Sequence, residues 1–183
     1  MTHYNDILLL PDPEFPATLL MNAVYSKLHK VLVDLKSTSI GVSFPKCKKT
    51  LGNLLRLHGS DKDLEQLWQS DWLGGMRGYC EVGEILQVPE GARHRRVGRV
   101  QTNMSQAKLN RLLKRGSITE AEAEQYLEKM GRQQFKGPYL ELQSGSNGHK
   151  HRRYVELGEL IDQPLEGGFD QFGLSKTATV PWF

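Results

Sequence analysis

Hydrophobic side chains recur with two different periods along the first ninety residues of this 183-residue chain. Between residues 16 and 34 they recur every three or four positions, which predicts an amphipathic helix that begins at Pro16. Between residues 40 and 44 they alternate with small residues, which predicts a strand. The same two patterns predict strands at 4–10, 40–44, 55–57 and 78–88 and helices at 16–34 and 60–68.

The predicted order of elements, β-α-β-β-α-β, is that of a ferredoxin-like (RRM-like) domain, in which two helices cover one face of an antiparallel sheet. We therefore expect an α+β protein with a ferredoxin-like domain at residues 1–90. Residues 91–183 are expected to form a second, α/β region. Because ferredoxin-like domains support many unrelated functions, the fold alone does not indicate an activity.

The second region contains two further helix patterns and a pair of strand patterns. Residues 106–115 have helical spacing and many basic side chains. Thr119 and Glu122 have the spacing of a capping box, which predicts the start of another helix. Alternation at 139–142 and 154–157 predicts two strands, joined through a turn-rich segment.

Charge is distributed unevenly along the chain. Residues 91–119 contain eight Lys or Arg and no Asp or Glu, although the net charge of the whole chain is only +3. A solvated charged surface usually mixes both signs, so this segment favours a polyanionic partner. The rest of the chain, with 16 basic and 21 acidic residues, lacks this character.

The remaining composition is that of a globular protein without a membrane segment or a metal motif. No apolar run approaches the roughly 18 residues that a membrane helix needs, and the first residues do not resemble a secretion signal. The two cysteines, Cys47 and Cys80, form no CxxC pair. We expect a cytoplasmic protein without a cofactor, without a metal ion and without a membrane partner.

The basic helix is the first candidate nucleic-acid contact. Its cations lie on one face at spacings of three and four residues and could follow phosphates along an RNA groove. They are Lys108, Arg111, Lys114 and Arg115. Arg99 and Gln101 are two residues apart on an extended segment, and both side-chain types form paired hydrogen bonds with purine edges.

His29 and two serines are the candidates for chemistry. An imidazole can take a proton from a ribose 2′-hydroxyl near neutral pH, but a lone histidine beside a helix core is as often a packing residue. Ser144 and Ser146 lie in a Gly/Asn segment that could hold a hydroxyl or phosphate, or could be an ordinary hairpin turn. Without a metal-binding motif, cleavage of RNA would use the 2′-hydroxyl as the internal nucleophile.

Several ordered motifs carry a resemblance to a known family over essentially the whole chain. They are His3-Tyr4, Pro11-Asp12-Pro13-Glu14-Phe15-Pro16, Lys27-Leu28-His29, Gly41-Val42-Ser43-Phe44-Pro45, Arg99-Val100-Gln101, Gly167-Gly168-Phe169, Gly173-Leu174-Ser175-Lys176 and Pro181-Trp182-Phe183. With these motifs the chain resembles the CRISPR RNA-processing endoribonuclease of subtype I-F. Members of that family cut the repeat hairpin of a precursor transcript without metal and keep the product.

The resemblance implies a role for each candidate. It makes His29 the general base, with Ser144 orienting the attacking 2′-hydroxyl and Ser146 nearby. It places Arg99 and Gln101 on base edges at the foot of the stem, and the basic helix in the major groove of the RNA. It also implies two kinds of partner, the CRISPR repeat stem-loop and the other subunits of the I-F surveillance complex, with target DNA met only through that complex.

This chain departs from the family pattern at three positions that the resemblance places in the site or on the RNA. Phe172 stands where the family has a tyrosine of the active site, so the ring is kept and the hydroxyl is lost. His151 stands where an aromatic residue stacks on the terminal base pair, and Lys114 replaces an arginine.

Two other functions remain open on the sequence alone. The departure at Phe172 is compatible with a subunit that binds the hairpin without cutting it. A DNA-binding regulator that uses the basic helix would bind duplex DNA of the same sequence with comparable affinity.

Overall fold

The structure is a computed structural model that describes residues 1–100, 104, 106–132, 137–143, 148 and 150–183, and only the backbone of residues 131 and 132. These residues form two compact units. Unit 1 consists of Met1–Arg99 together with Gly137–Phe183, and unit 2 is Val100–Lys136. Gln101, Ser144 and Ser146 lie outside the described residues.

Unit 1 begins with the predicted order of strands and helices. The elements are β1 (His3–Leu9), α1 (Ala17–Asp34), β2 (Gly41–Ser43), β3 (Leu54–Gly59), α2 (Asp61–Gln69), a 3₁₀ helix (Gly74–Tyr79), β4 (Cys80–Val82) and β5 (Leu86–Gln87). The first sheet has the strand order β2-β3-β1-β4, with β5 also paired to β1, and every pairing is antiparallel. The mixed α and β character predicted from the sequence is confirmed.

The prediction of a single strand at 78–88 was wrong in the extent of that strand. Its first residues belong to the 3₁₀ helix, and the rest is divided into β4 and β5. Val82 pairs with Ile7 and Leu86 pairs with Tyr4, so the register shifts by one residue between the two strands. A bulge of this kind interrupts a strand without ending the pairing with its neighbour, and the sequence pattern does not show it.

The helices of unit 1 begin where local chemistry favours a start. Pro16 precedes α1 with an extended backbone, and the apolar face of α1 is buried. Ser60 is the N-cap of α2, where its side-chain oxygen accepts a hydrogen bond from the backbone N–H of Asp63 at 3.1 Å. Both starts were predicted from the sequence.

The second sheet of unit 1 is built from the later part of the chain. Its strands are β6 (Arg93–Arg99), β7 (Tyr139–Gln143), β8 (Lys150–Ile161) and β9 (Val180–Trp182), in the order β7-β8-β6-β9. β7 and β8 are the predicted strand pair, with Leu140 opposite Arg153. Helix α1 contacts this sheet as well, since the side-chain oxygen of Asn22 accepts a hydrogen bond from the Glu141 N–H at 3.0 Å.

All strands of the first sheet lie before residue 90, and all strands of the second lie after it. The division into domains at 1–90 and 91–183 stays a prediction, because both sheets belong to unit 1. Among the described residues, no helix is long and apolar enough to cross a membrane.

Unit 2 contains two helices, α3 (Gln106–Lys114) and α4 (Glu120–Arg132). The predicted capping box begins α4. The Thr119 N–H donates to a carboxylate oxygen of Glu122 at 2.7 Å, and the Glu122 N–H donates to the Thr119 hydroxyl at 3.3 Å. Leu109 of α3 and Ala123 of α4 are buried.

Candidate active site

The site is organised by a short segment near the end of the chain, residues 169–175, which we call the Phe172 loop. Asp170 fixes its shape, because one carboxylate oxygen accepts hydrogen bonds from the N–H groups of Phe172 at 2.8 Å and Leu174 at 3.0 Å. The Gly173 N–H donates to the Asp170 carbonyl at 2.8 Å, which closes the turn. The loop is therefore rigidly shaped by its own backbone.

Gly173 attaches this loop to the first sheet. Its carbonyl accepts a hydrogen bond from the Val42 N–H at 3.0 Å. Its φ of +67° is in the left-handed region, and a Cβ at this position would lie 2.6 Å from Cγ1 of Val42. Only glycine meets both the backbone angle and the close approach, which gives the Gly173 motif a physical reason.

His29 lies half-buried near the end of α1, where one ring nitrogen contacts the Phe172 loop. Its Nδ1 is 2.8 Å from the carbonyl oxygen of Gln171. A carbonyl can only accept, so Nδ1 carries the hydrogen and donates it. In the neutral imidazole, Nε2 then has a free lone pair and can accept a proton. Nε2 is therefore the ring nitrogen that can serve as a general base.

The Phe172 ring is stacked on the imidazole of His29. The two ring centroids are 3.6 Å apart and the planes differ by 11°. On the same helix, the buried hydroxyl of Tyr25 donates a hydrogen bond to the Phe172 carbonyl. Burial, and then the nearby carboxylate of Asp170, raises the pKa of Tyr25, so this hydroxyl remains a donor at neutral pH.

Arg153 was not among the candidates from the sequence, yet it belongs to this stack. Its guanidinium carbon lies 3.5 Å from the centroid of the Phe172 ring. Two groups this close to one centroid cannot share a face, so Arg153 and His29 lie on opposite faces of the ring. Arg153 lies two residues before the buried Val155 on β8, so the two side chains share one face of the strand, and this period of two was the available signal that Arg153 points inward.

Arg99 lies near this stack, because it pairs with Val155, two residues from Arg153 on β8. Burial, followed by the positive charge of Arg99, lowers the pKa of Arg153. Arg99 itself is exposed at the end of β6. One predicted RNA contact and the predicted base therefore lie in the same region of unit 1.

The other predicted residues are placed as follows. His151 is exposed on β8, opposite Leu142. Lys108, Arg111, Lys114 and Arg115 are exposed on or directly after α3 in unit 2. Gln101, Ser144 and Ser146 fall outside the described residues, so their roles stay predictions. Within the described part of the chain, no group of three or more His, Cys, Asp or Glu side chains could hold a metal ion.

Comparison with known proteins agrees with the motifs. The chain is 40% identical over 184 residues to a CRISPR-associated endonuclease Cas6/Csy4 of Escherichia coli (strain UTI89 / UPEC), with all of both chains covered. It is also 40% identical over 187 residues to a protein of the same name from Pseudomonas aeruginosa (strain UCBPP-PA14), again with full coverage.

Two solved structures also align with nearly the whole chain. A CRISPR endoribonuclease Cse3 bound to a 19-nucleotide RNA shares 16% identity at a TM-score of 0.40, with 99% of this chain and 100% of that chain covered. Thermus thermophilus Cse3 bound to an RNA that represents a pre-cleavage complex shares 14% identity at a TM-score of 0.36, with the same coverage. The model of the family described as CRISPR-associated protein (Cas_Csy4) matches residues 4–183. The subtype I-F resemblance is thereby confirmed, and the chain belongs to this Cas_Csy4 family of CRISPR-associated proteins.

Proposed function

We propose that this protein is a metal-independent endoribonuclease that cleaves the repeat hairpin of precursor CRISPR RNA and remains bound to the stem-loop it has cut. One observation carries the proposal. His29 donates its Nδ1 hydrogen to the Gln171 carbonyl at 2.8 Å, which leaves Nε2 as the proton acceptor. The name of the relatives, CRISPR-associated endonuclease, supports the same class of reaction.

The proposed reaction uses the ribose beside the cut as its own nucleophile. Nε2 of His29 takes the proton of the 2′-hydroxyl, and the 2′-oxygen attacks the adjacent phosphorus. The bond from phosphorus to the 5′-oxygen breaks, the 5′-oxygen takes a proton from water, and a 2′,3′-cyclic phosphate remains. The proton on His29 then returns to the solvent. We assign the orientation of the 2′-hydroxyl to Ser144, with Ser146 beside it. We assign to Phe172 the stacking on the imidazole of the general base, His29.

We assign the binding of the stem to the exposed cations and to two candidate base contacts. The basic face of α3 would follow the phosphates, and its affinity would fall as salt rises. Arg99 and Gln101 would contact bases at the foot of the stem, and His151 would stack on the terminal pair. A product held by many phosphate contacts dissociates slowly, which suits a subunit that keeps its guide RNA within the surveillance complex.

The cleavage experiment uses the full chain and its cognate repeat hairpin in EDTA. We expect one cut and a product that ends in a 2′,3′-cyclic phosphate. His29→Ala should lose cleavage by about 10²–10⁴-fold, the range of general-base assistance, while the hairpin affinity changes little. His3→Ala replaces another half-buried histidine of unit 1 and serves as the matched control.

A hairpin with a 2′-deoxyribose at the cut site separates the chemistry from the binding. We expect the wild-type protein to bind this RNA normally and to leave it intact. Cleavage of the deoxy hairpin, or cleavage that requires an added divalent ion, contradicts the proposed reaction.

A second function, hairpin binding without cleavage, follows from the missing hydroxyl at Phe172. Tight binding without a cyclic-phosphate product in the same assay identifies it. The contact of His29 with Gln171 favours the nuclease, because a subunit that only binds RNA does not need a fixed tautomer.

We further propose that residues 1–90 form a ferredoxin-like domain and that the protein acts in the cytoplasm. The strand order β2-β3-β1-β4, with helices after β1 and β3, supports the proposed domain.

A further inference from the structure

We propose that Arg153 is a positioning residue whose guanidinium holds the Phe172 ring against the imidazole of His29 and thereby fixes the plane of that imidazole. The inference rests on the proposed function, since it assigns His29 the role of the base. With Arg153, the site is a stack of three side chains in the order His29, Phe172 and Arg153.

The geometry of the three layers carries the inference. The guanidinium carbon of Arg153 is 3.5 Å from the Phe172 centroid, and the His29 centroid is 3.6 Å from it on the other side. A guanidinium stacked on an aromatic face is attracted by the negative charge of that face. Phe172 therefore has a tightly packed partner on each side of its ring.

The burial of Arg153 makes an ordinary structural role a poor explanation. The residue is only 8% exposed, and no hydrogen-bond partner contacts its Nε among the residues that the structure describes. Burying a charge with an unpaired donor is unfavourable, and an apolar residue would fill this position of β8 at a lower cost. The nearby carboxylate of Asp170 offsets part of this cost, and the direct contact that the guanidinium makes is its stack on Phe172.

The stack supplies something that the hydrogen bond of His29 cannot. The bond between Nδ1 and the Gln171 carbonyl fixes the tautomer, but the imidazole can still pivot about this single contact. The lone pair of Nε2 lies in the plane of the ring, so its direction depends on that plane. A Phe172 ring held firmly by Arg153 restricts the pivot and keeps Nε2 aimed in one direction.

The first test compares Arg153→Met with wild type in single-turnover cleavage. Met is of similar length but has no charge, and we expect the rate at saturating hairpin to fall about tenfold while the dissociation constant changes less than about twofold. Arg153→Lys keeps the cation and should recover part of the rate. Arg152→Met removes the neighbouring exposed arginine, which lies over Tyr139, and should leave the saturated rate unchanged.

The second test measures the stack without RNA. A proton stacked on an aromatic face is shifted upfield by the ring current, so the ring protons of His29 should move downfield in Arg153→Met and in Phe172→Leu. This readout distinguishes the two proposals. A wild-type protein that does not cleave RNA contradicts the proposed function, whereas unchanged His29 shifts in Arg153→Met contradict the positioning role.

The double variant Arg153→Met with Phe172→Leu gives the decisive comparison. If Arg153 acts through the ring, its loss adds little once the ring is gone, and the two effects on the rate are not additive. Additive effects, or a loss of hairpin affinity as large as the loss of rate, would mean that Arg153 contacts the RNA directly and would overturn the inference.

Discussion

Substitution of Gly173 by alanine should disturb both the fold and the site, because this residue joins the Phe172 loop to the first sheet. The added Cβ would lie 2.6 Å from Cγ1 of Val42, a residue with no exposed surface, and the backbone φ is +67°. Real Cβ contacts are not this short, so either β2 or the Phe172 loop must move.

The size of the effect follows from three contributions. A left-handed backbone costs a residue with a Cβ roughly 1–2 kcal/mol. Insertion of a methyl group into a packed core costs about 1–3 kcal/mol more, and the reduced entropy of the unfolded alanine chain offsets about 0.4–1 kcal/mol. We expect the free energy of unfolding to fall by about 2–4 kcal/mol, and the cleavage rate of the folded fraction to fall with it because Phe172 and the Gln171 carbonyl shift.

The assay is urea denaturation followed by circular dichroism, together with single-turnover cleavage of the hairpin. Gly168→Ala is the matched control, since a Cβ at Gly168 meets no atom within 4 Å. It should change the free energy of unfolding by less than about 0.5 kcal/mol. If Gly173→Ala and Gly168→Ala have equal stability and equal rates, then the Phe172 loop is not anchored through this contact and the reasoning is wrong.

Two further predictions concern acid stability and RNA binding. Burial, followed by the positive charge of Arg56, lowers the pKa of His58 to about 3. Neutral His58 therefore makes its full contribution to the free energy of unfolding above pH 6.5, and this contribution is lost as the pH falls towards 3. The free energy of unfolding of the wild type, measured by urea denaturation, should fall by about 2 kcal/mol between pH 8 and pH 5. If a His58→Asn variant loses as much over the same range, the loss does not come from His58. Replacement of Arg111 and Arg115 by alanine should weaken hairpin binding and reduce the salt slope of the affinity by about 2, measured by titration at several salt concentrations. An unchanged slope would mean that the RNA lies elsewhere, and Lys62→Ala on the exposed face of α2 is the control.

The elements that depend on local pattern could be predicted from the sequence. The apolar period of α1, the Ser60 cap and the capping box at Thr119 each act over a few residues, and all three are found in the structure. The division of the predicted strand 78–88 could not be predicted, because a one-residue register shift against β1 depends on tertiary pairing.

The candidate site was predictable in its residue types but not in its contacts. His29 and Phe172 were candidates, yet their stacking joins residues 143 positions apart, and no local pattern encodes such a contact. Arg153 was obscured by the basic residues around it, which suggest a solvated strand although the period of two places this one side chain inside. Burial of a single cation within a basic run is decided by the packing partner, which here is a phenylalanine from a distant loop.

The two hydrogen bonds between α1 and the Phe172 loop are of one kind, because each joins a side chain of α1 to a backbone carbonyl of the loop. Tyr25 and His29 are four residues apart and lie on one face of the helix, and they donate to the successive carbonyls of Phe172 and Gln171. The loop is therefore aligned along one turn of α1 by its backbone and not by its side chains. Because a backbone carbonyl survives any substitution at its own residue, the tautomer of His29 is protected against changes at Gln171 itself. It remains sensitive to anything that displaces the loop as a whole, and so the state of the base depends on how well the end of the chain docks on a helix formed near its beginning.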